Sequence, residues 1–443
     1  MGRIYFEISD LVEYLRGYGR VSGIQRVALA TIHEIFAIAP PGSIGFISYN
    51  PIVGKVGELS ASWLEHTGDG DLVLLRKALF VQHHLELRHL RNPRKFMRET
   101  MALWLSVLST RYGKFQALAR RVSASSPDLS LLTRPQLQPD DVIISLGTFW
   151  GLPLVTDFLR QHHNRGGKVY ALIHDLIPLK APSMVVDHHS EIFRNYLQQL
   201  VPLVDKFFAN SNATKRDLQS VLEDMAPERP VPIVTVPLAH ELPMDHGSNH
   251  NSQVRNIVRS ATHFPYVLCV GTVEGRKNSW ALLTVWAAII QKMGLKAPRL
   301  IFAGKRGWHS TDFSAALEGS GSLNGYVVTI DSPNDAEIGY LFDNCLFSTY
   351  PSFYEGWGLP VGESLWHGKT CVVSNTSSLP EVGGDLCVYV DPHSIEDIYA
   401  KILDLLLHPQ KRIRLEKKIA KAKLRTWADV AKDIYRELKP DLG

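Results

Sequence analysis

Strand-like and helix-like segments alternate along almost the whole chain, and no other feature restricts its fold as strongly. Helical patterns separate most of the strands: in Ser22–Phe36 the apolar residues share one helical face, and Ser22 is a suitable N-cap. In the first half, short apolar runs predict strands at Ile4–Ile8, Ile44–Tyr49, Val142–Leu146, Val169–Ile173, Lys206–Ala209 and Ile233–Val236. Such alternation predicts a parallel sheet that is covered by helices on both faces.

A second series of strands and helices follows a polar stretch, Glu241–Gln253, which has no apolar periodicity. A helix is predicted over Ser394–Leu407, where Ser394 and Asp397 have capping-box spacing. Strands are predicted at Tyr266–Val270, Leu300–Ala303, Tyr326–Ile330, Leu346–Thr349, Cys371–Ser374 and Cys387–Val390. We therefore expect an α/β chain with two doubly wound, Rossmann-like domains facing a cleft, with ligands at the carboxyl ends of the strands.

The expected domain boundaries follow from these two series. Residues 1–240 form the N-terminal domain, residues 241–254 the linker and residues 255–425 the C-terminal domain. Residues 426–443 are predicted to form a helix that packs back on the N-terminal domain. The length of 443 residues suits two or three domains of roughly 150 residues each.

Composition excludes several other classes of protein. The four cysteines form no C-x-x-C pair, so we expect neither a disulfide scaffold nor a zinc site. Three of them lie inside apolar runs, and we expect these to be core thiols in a reducing compartment. The longest apolar run, Ala281–Ile290, is too short for the roughly 20 residues of a membrane-spanning helix and predicts a buried helix. The first residues lack the features of a secretory signal, which favours a cytoplasmic protein. A net charge of +4 does not favour nucleic acid as a partner.

A basic segment near residues 86–125 interrupts the alternation. From Arg88 to Arg121 it carries nine basic residues and one acid, Glu99, and apolar residues such as Phe96 and Trp104 lie between the charges. This pattern is typical of amphipathic segments that lie on anionic membranes, here the inner face of a membrane. The other interpretation is a helical insertion packed on its own domain with a solvated basic face. Both interpretations stay open.

The densest group of chemically active residues is Ser352–Gly368, SFYEGWGLPVGESLWHG. Its two glutamates, Glu355 and Glu363, are separated by seven residues, and glycines lie between them. Pro360 suits the first turn of a helix. A glycine-rich loop that leads into a helix N-terminus is an anion site that fits a diphosphate, and the two carboxylates can accept hydrogen bonds from sugar hydroxyls.

Basic residues follow two other strands of the second half. The loop Gly271–Asn278 places Arg276 and Lys277 between a strand and a helix that starts near Ser279, where two cations can neutralise a diphosphate leaving group. A second loop, GKRG, places Lys305 and Arg306 where they could line the same cleft. Alone, Arg276 and Lys277 would more often belong to a solvated turn, and GKRG by itself has weak specificity. Their position beside the glutamate loop favours the binding site.

The strings GTVEGRKN, FAGKRGW, SFYEGWGLPVGE and SNTSSLPEVGGD resemble the donor-binding half of retaining glycosyltransferases of family 4, which have the GT-B fold. The resemblance covers about Tyr266 to Leu407. The N-terminal half resembles the acceptor-side domain more weakly, through SGIQRV, ALIHDLIPLKAP and ANSNATKRDL in the family's order.

This resemblance implies roles for individual residues. Glu363 matches the glutamate that holds the ribose hydroxyls of the nucleotide, and Glu355 matches the one that faces the transferred sugar. Lys277 matches the family's phosphate-binding lysine. The family's basic residue after the first glycine of this motif is Thr272 here, and Arg276 is the candidate to replace its charge. The backbone that would contact the diphosphate or the sugar belongs to Gly356, Trp357, Gly358 and Leu359.

The N-terminal domain supplies two further residues by resemblance. His174 matches a histidine that contacts the donor sugar, and Gly23 lies at the helix N-terminus that approaches the diphosphate. A lone histidine after a strand is commonly structural, but the carboxyl end of a strand favours an active-site role. The histidine pairs, by contrast, lack metal-ligand spacing, and we interpret them as non-ligands: His83 and His84, His162 and His163, His188 and His189.

The resemblance implies a retaining glycosyltransferase that moves a hexose or deoxyhexose from a nucleoside-diphosphate sugar to a hydroxyl of a glycan or lipid-linked acceptor. Bacterial surface polysaccharide or lipopolysaccharide synthesis is the implied setting. No metal is expected to be required, because the cations and the helix N-terminus stabilise the leaving group. Two alternatives stay open, a nucleotide-sugar 2-epimerase and a non-catalytic carbohydrate-binding protein. A dinucleotide-dependent oxidoreductase is disfavoured, because the glycines after the first strand lack G-x-G-x-x-G spacing.

Overall fold

The computed structural model describes residues 2–17, 21, 23–50, 55–66, 97, 101, 104, 133–150, 152–226, 228–242, 254–308 and 310–442. Four sequence predictions lie wholly or mostly outside these residues. They are the N-cap role of Ser22, most of the linker, the interpretation of His83 and His84 as non-ligands, and the basic segment 88–121, of which only Met97, Met101 and Trp104 are described.

The first sheet has seven strands within the described residues, in the order β3-β2-β1-β4-β5-β6-β7. They are β1 Ile4–Glu7, β2 Ile44–Asn50, β3 Lys55–Leu59, β4 Val142–Ser145, β5 Lys168–Ile173, β6 Lys206–Ala209 and β7 Ile233–Thr235. Strand β3 was not predicted, and it runs antiparallel to β2. The expectation of a wholly parallel sheet is therefore wrong at this edge, because the four residues between β2 and β3 are too few for a parallel crossover.

The second sheet has six described strands in the order β10-β9-β8-β11-β12-β13, and all of its pairings are parallel. They are β8 Tyr266–Val270, β9 Arg299–Ala303, β10 Val327–Ile330, β11 Ser348–Tyr350, β12 Cys371–Ser374 and β13 Val388–Val390. Strand β11 begins two residues later than predicted, although Leu346 already donates a backbone hydrogen bond to Tyr266. The expected α/β architecture with two sheets is confirmed.

Helices connect the strands in both parts of the chain. Around the first sheet they are α1 Ser9–Gly17, α2 Gly23–Ile38, α3 Pro153–His163, α4 Ile177–Lys180, α5 His189–Leu200 and α6 Asn212–Met225. Around the second they are α7 Asn256–Ala261, α8 Ser279–Met293, α9 Thr311–Gly319, α10 Asp335–Asn344, α11 Leu359–Trp366, α12 Leu379–Gly383, α13 Ile395–Leu407, α14 Pro409–Ile419 and α15 Trp427–Leu438.

The core residues explain why these elements form. Helix α8 contains the apolar run that predicted a buried helix, and Leu282, Trp286 and Ile289 on it are fully buried. All four cysteines are buried and free, one more buried thiol than the sequence predicted. Among the described helices, none combines the length and the apolar character that crossing a membrane requires.

Helix caps follow the sequence only in part. Ser394 caps α13 by accepting a hydrogen bond from the backbone N–H of Asp397. A complete capping box would also require the Asp397 carboxylate to accept the backbone N–H of Ser394. This carboxylate instead accepts the backbone N–H of Asp391, so the predicted capping box is only half formed. Thr426 and Asp429 form a complete capping box at the start of α15.

The final helix lies beside the first domain. Helix α15 packs against α2. The Lys206 ammonium donates to the backbone carbonyl of Glu437 at 2.8 Å, and the backbone N–H of Gly2 donates to Leu442 at 2.7 Å. The chain therefore returns to the first sheet after it has completed the second.

Candidate functional site

Two loops after neighbouring strands of the second sheet lie directly against each other. The backbone N–H of Gly271 donates to Ala303 at 2.9 Å, and that of Val273 donates to Lys305 at 2.8 Å. A Cβ atom on Gly304 would lie 2.0 Å from the carbonyl oxygen of Gly271, so only glycine permits this approach. The loops that carry the basic residues therefore form one layer at the carboxyl ends of β8 and β9.

The glycine-rich loop leads into the N-terminus of α11, as the sequence predicted. Gly358 is the N-cap residue with φ of 101°, a left-handed conformation that favours glycine, and Leu359 and Pro360 open the helix. The first N–H groups of a helix have no acceptor within it, and the helix dipole adds positive potential there. The Trp357 ring is buried.

Gly356 lies where the two domains touch. A Cβ atom there would be 2.0 Å from the carbonyl oxygen of His174, which leaves no room for a larger residue. Its carbonyl oxygen accepts hydrogen bonds from the hydroxyls of Ser211, at 2.8 Å, and Thr214, at 3.2 Å. The glycine-rich loop is thus fixed by side chains of the N-terminal domain.

A second contact between the domains involves Glu381, within the string SNTSSLPEVGGD. Its carboxylate accepts the backbone N–H groups of Asn212 and Ala213 at the start of α6, both at 2.7 Å. A carboxylate at a helix N-terminus is favourable because the dipole is positive there. The hydroxyl of Tyr354 also donates across the cleft, to Asp217. Nothing local in the sequence predicts either contact.

Glu355 forms ion pairs with both predicted cations. One carboxylate oxygen lies 2.7 Å from Arg276 and the other 2.5 Å from Lys277. Burial alone would raise the pKa of Glu355, but the two cations outweigh burial and lower it to about 2. The carboxylate is therefore ionised at every physiological pH, and both of its oxygens are engaged.

Arg276 also has structural partners. It donates to the backbone carbonyl of Tyr354 at 2.5 Å and pairs with Glu274 at 2.6 Å. Burial raises the pKa of the neighbouring Asp175, and the charge of Arg276 opposes that effect. Lys277, with Glu355 as its described ion-pair partner, is thus the less constrained cation of the two.

Glu363 is buried and pairs with an arginine that sequence reasoning missed. The Arg26 guanidinium lies 2.8 Å from Glu363 and 2.6 Å from Asp335. Burial raises the pKa of Glu363, and Arg26 opposes this rise. The only available signal was that Arg26 lies within SGIQRV, one helical turn after Gly23.

His174 is buried at the carboxyl end of β5. Its Nε2–H donates to the carbonyl oxygen of Leu146 at 2.8 Å, which assigns the proton to Nε2 because a carbonyl can only accept. Burial lowers the pKa of His174 to about 4, and the ring is therefore neutral near pH 7. The Asn210 amide donates to its backbone carbonyl at 2.7 Å. These contacts fix the histidine beside Gly356.

The remaining predicted residues lie at the same edge of the structure with fewer contacts. Gly23 begins α2, is exposed and has φ of 46°, a left-handed value. Lys305 is half-buried and Arg306 is exposed in the loop that follows β9. The structure thus brings Arg276, Lys277 and Glu355 into one cluster, places the backbone of His174 beside Gly356 of the same loop, and places Glu363 in a second cluster with Arg26.

Within the described part of the chain, no group of histidine, cysteine or acidic side chains has an arrangement that could hold a metal ion. His162 is buried with Nε2 at 3.0 Å from the carbonyl oxygen of Asp141. The sequence holds one D-x-D string, Asp69–Asp71, whose carboxylates could chelate a cation, and it lies outside the described residues.

The sequence of this chain is similar to those of known proteins. Residues 251–422 match the model of the family described as glycosyl transferases group 1. O-antigen chain mannosyltransferase B of Escherichia coli is 36% identical over 163 residues, which are 37% of this chain and 42% of that protein. The serotype-specific mannosyltransferase WbdA of Escherichia coli is 25% identical over 235 residues, which are 52% of this chain and 28% of WbdA. The chain thus matches less than half the length of either relative.

Two solved structures resemble nearly the whole chain. Sucrose-phosphate synthase from Thermosynechococcus elongatus superimposes with a TM-score of 0.59 at 15% identity, over 99% of this chain and 100% of the enzyme. HepE from Anabaena, solved in complex with UDP and glucose, has a TM-score of 0.58 at 11% identity over the same shares. At these identities the likeness shows a shared fold.

Proposed function

Residues 251–422 belong to the glycosyl transferases group 1, within a chain of GT-B fold, and on this premise we propose that the protein transfers a sugar between molecules. The donor is a nucleoside-diphosphate sugar. The acceptor is a hydroxyl group of a glycan or of a lipid-linked glycan.

The observation that carries the proposal is the cluster of Glu355, Arg276 and Lys277 beside the N-terminus of α11. Two cations in the loop after β8 pair with Glu355 in the loop after β11, and Glu355 lies three residues before the N-cap of α11. When the bond to the donor sugar breaks, negative charge develops on the leaving diphosphate. Fixed positive groups at that position stabilise the transition state, and one such donor typically contributes a factor of ~10² to 10³ in rate.

We infer that the configuration at the anomeric carbon is retained. Both oxygens of Glu355 are paired with cations, so this carboxylate is poorly placed to act as a covalent nucleophile. In the proposed mechanism the acceptor hydroxyl attacks from the face that the diphosphate leaves, and its proton passes to a phosphate oxygen. The neutral His174, fixed through Leu146, contacts the donor sugar from the opposite domain.

The proposed donor sugar is a hexose or deoxyhexose, and mannose is the first to test. The named activities of the two Escherichia coli relatives support mannose, O-antigen chain mannosyltransferase B most directly. The same names support a role in the synthesis of surface polysaccharide. We further propose that no metal is required, since Arg276, Lys277 and the helix N-terminus already supply positive charge at the diphosphate.

The test is a transfer assay with the purified full chain. Candidate nucleoside-diphosphate sugars are incubated with and without lipid-linked or oligosaccharide acceptors, and released nucleoside diphosphate and glycosylated product are measured. The proposal expects nucleotide release that depends on acceptor, and equal rates with and without EDTA. Turnover without acceptor to give free sugar or an epimer would favour the 2-epimerase alternative. Binding without turnover would favour a non-catalytic carbohydrate-binding protein.

A further inference from the structure

An arginine of the N-terminal domain reaches across to the carboxylate assigned to the ribose. Arg26 lies on α2, one turn after its start. One terminal nitrogen donates to Glu363 on α11 at 2.8 Å, and the other donates to Asp335 on α10 at 2.6 Å. The guanidinium fork thus connects α2 with two helices of the other domain.

The two halves of this fork differ in burial. The Glu363 side chain is 3% exposed and that of Arg26 is 14% exposed, whereas the Asp335 side chain is 44% exposed. A buried charge that loses its partner is strongly unfavourable, while an exposed carboxylate is hydrated by water. The pairing of Arg26 with Glu363 is therefore the one that matters for the site.

Few other charges act on Glu363. Asp335 on α10 is negative, and His367 lies one turn later on α11. Tyr350, at the end of β11, is also close, and its pKa is raised mainly by burial. Burial raises the pKa of Glu363, and the charge of Arg26 opposes this rise most strongly. Asp335 raises the pKa further, whereas a protonated His367 lowers it. Arg26 is thus the main charge that opposes protonation of Glu363.

We propose that Arg26 is a positioning residue of the donor site, which keeps the Glu363 carboxylate ionised and oriented so that it accepts hydrogen bonds from the ribose hydroxyls. This inference rests on the proposed function, in which Glu363 holds the ribose. Arg26 donates a hydrogen bond to one carboxylate oxygen, and an ionised carboxylate has further lone pairs that can accept hydrogen bonds from the ribose. A protonated carboxyl would present an O–H donor in place of one acceptor.

The test is the affinity for a nucleoside diphosphate as a function of pH. The probe is whichever of UDP, GDP, ADP and dTDP binds the wild-type chain most tightly, measured by titration calorimetry between pH 6 and pH 9. In Arg26→Met, which keeps an unbranched side chain but removes the guanidinium charge, we expect affinity at pH 7 to fall at least tenfold. The affinity of this variant relative to wild type should recover as the pH rises, because Glu363 then ionises even without Arg26. Arg26→Lys should show a smaller loss without the alkaline recovery.

Two controls separate positioning from a structural role. Asp335→Asn removes the exposed half of the fork and should leave affinity within a few-fold of wild type. The double variant Arg26→Met with Glu363→Gln should bind as Glu363→Gln alone does, because Arg26 acts through Glu363. The double variant also removes both buried charges, so it remains informative if Arg26→Met does not fold.

Several results would overturn the inference. Equal or tighter binding by Arg26→Met would mean that Arg26 is irrelevant or competes with the ribose. A loss of affinity that is the same at every pH, or a double variant that binds far more weakly than Glu363→Gln, would mean that Arg26 acts in another way. A wild-type chain that binds none of the four nucleoside diphosphates would refute the proposed function, and this inference with it.

Discussion

Replacing Glu355 with glutamine should destabilise the folded chain by an amount that follows from its ion pairs. The buried Glu355 carboxyl has a pKa of about 2 in the folded chain, against an ordinary value of 4.5. This difference corresponds to about 3 kcal/mol of stabilisation at neutral pH. Glu355→Gln leaves Arg276 and Lys277 buried beside a neutral amide. We therefore expect the free energy of unfolding to fall by about 3 kcal/mol at pH 7.

The pH dependence gives the sign of the effect. The pKa of Glu355 is lower in the folded chain than in the unfolded chain, so its stabilisation is complete above about pH 4.5 and is lost as the pH falls toward 2. The difference between wild type and Glu355→Gln should be constant from pH 8 to pH 5 and should shrink below pH 4.5. Urea unfolding followed by circular dichroism at several pH values measures this difference.

Glu318→Gln is the matched control. Glu318 is an exposed glutamate on α9 of the same domain, and the same substitution there should change the free energy of unfolding by less than about 0.5 kcal/mol. The reasoning is refuted if Glu355→Gln unfolds at the wild-type urea concentration at pH 7, or if Glu318→Gln loses as much stability.

Three further predictions concern binding and turnover. Glu363→Ala should weaken nucleoside diphosphate binding by about 1.5 to 3 kcal/mol, because a charged acceptor is lost, and unchanged affinity by calorimetry in a folded variant would remove Glu363 from the ribose role. Lys277→Ala should lower the rate of transfer ~10² to 10³-fold, while Lys305→Ala in the adjacent loop should be mild; the reverse order would move the phosphate site to Lys305 and Arg306. The segment Arg88–Arg121 should bind anionic vesicles more weakly as salt rises, with about 1 kcal/mol for each cation near the surface. The measurement is co-sedimentation with anionic vesicles, made separately for wild type and for a variant carrying Arg91→Ser, Arg94→Ser, Lys95→Ser and Arg98→Ser. Wild type that stays in the supernatant at low salt would contradict the prediction.

The sequence predicted the strands well because most are short, buried apolar runs. All four residues of β1, β4 and β12 are buried, and each lies within a predicted run. Strand β3 escaped detection because KVGEL has few apolar residues, a central glycine and an edge position in the sheet. Its antiparallel direction depends on a short connection rather than on the composition of the strand.

The site was predictable where its residues are close in sequence. Arg276 and Lys277 are adjacent, and Glu355 belongs to the same glycine-rich string as Gly356 and Gly358. The pairing of Arg26 with Glu363 joins residues that are 337 positions apart, and hydrophobic periodicity carries no information about such a contact. The positions of the carboxylates could be expected from local motifs, but the cations that pair with them depend on the packing of two domains.

The stereochemistry of transfer tests the central claim most directly. The purified chain is incubated with a nucleoside-diphosphate sugar that it turns over and a suitable acceptor, and the anomeric configuration of the new glycosidic bond is determined by NMR spectroscopy. The account predicts that the product has the same anomeric configuration as the donor and that nucleoside diphosphate is released only when acceptor is present. A product with the opposite configuration would contradict the retaining mechanism, and turnover to free sugar or an epimer without acceptor would contradict glycosyl transfer itself.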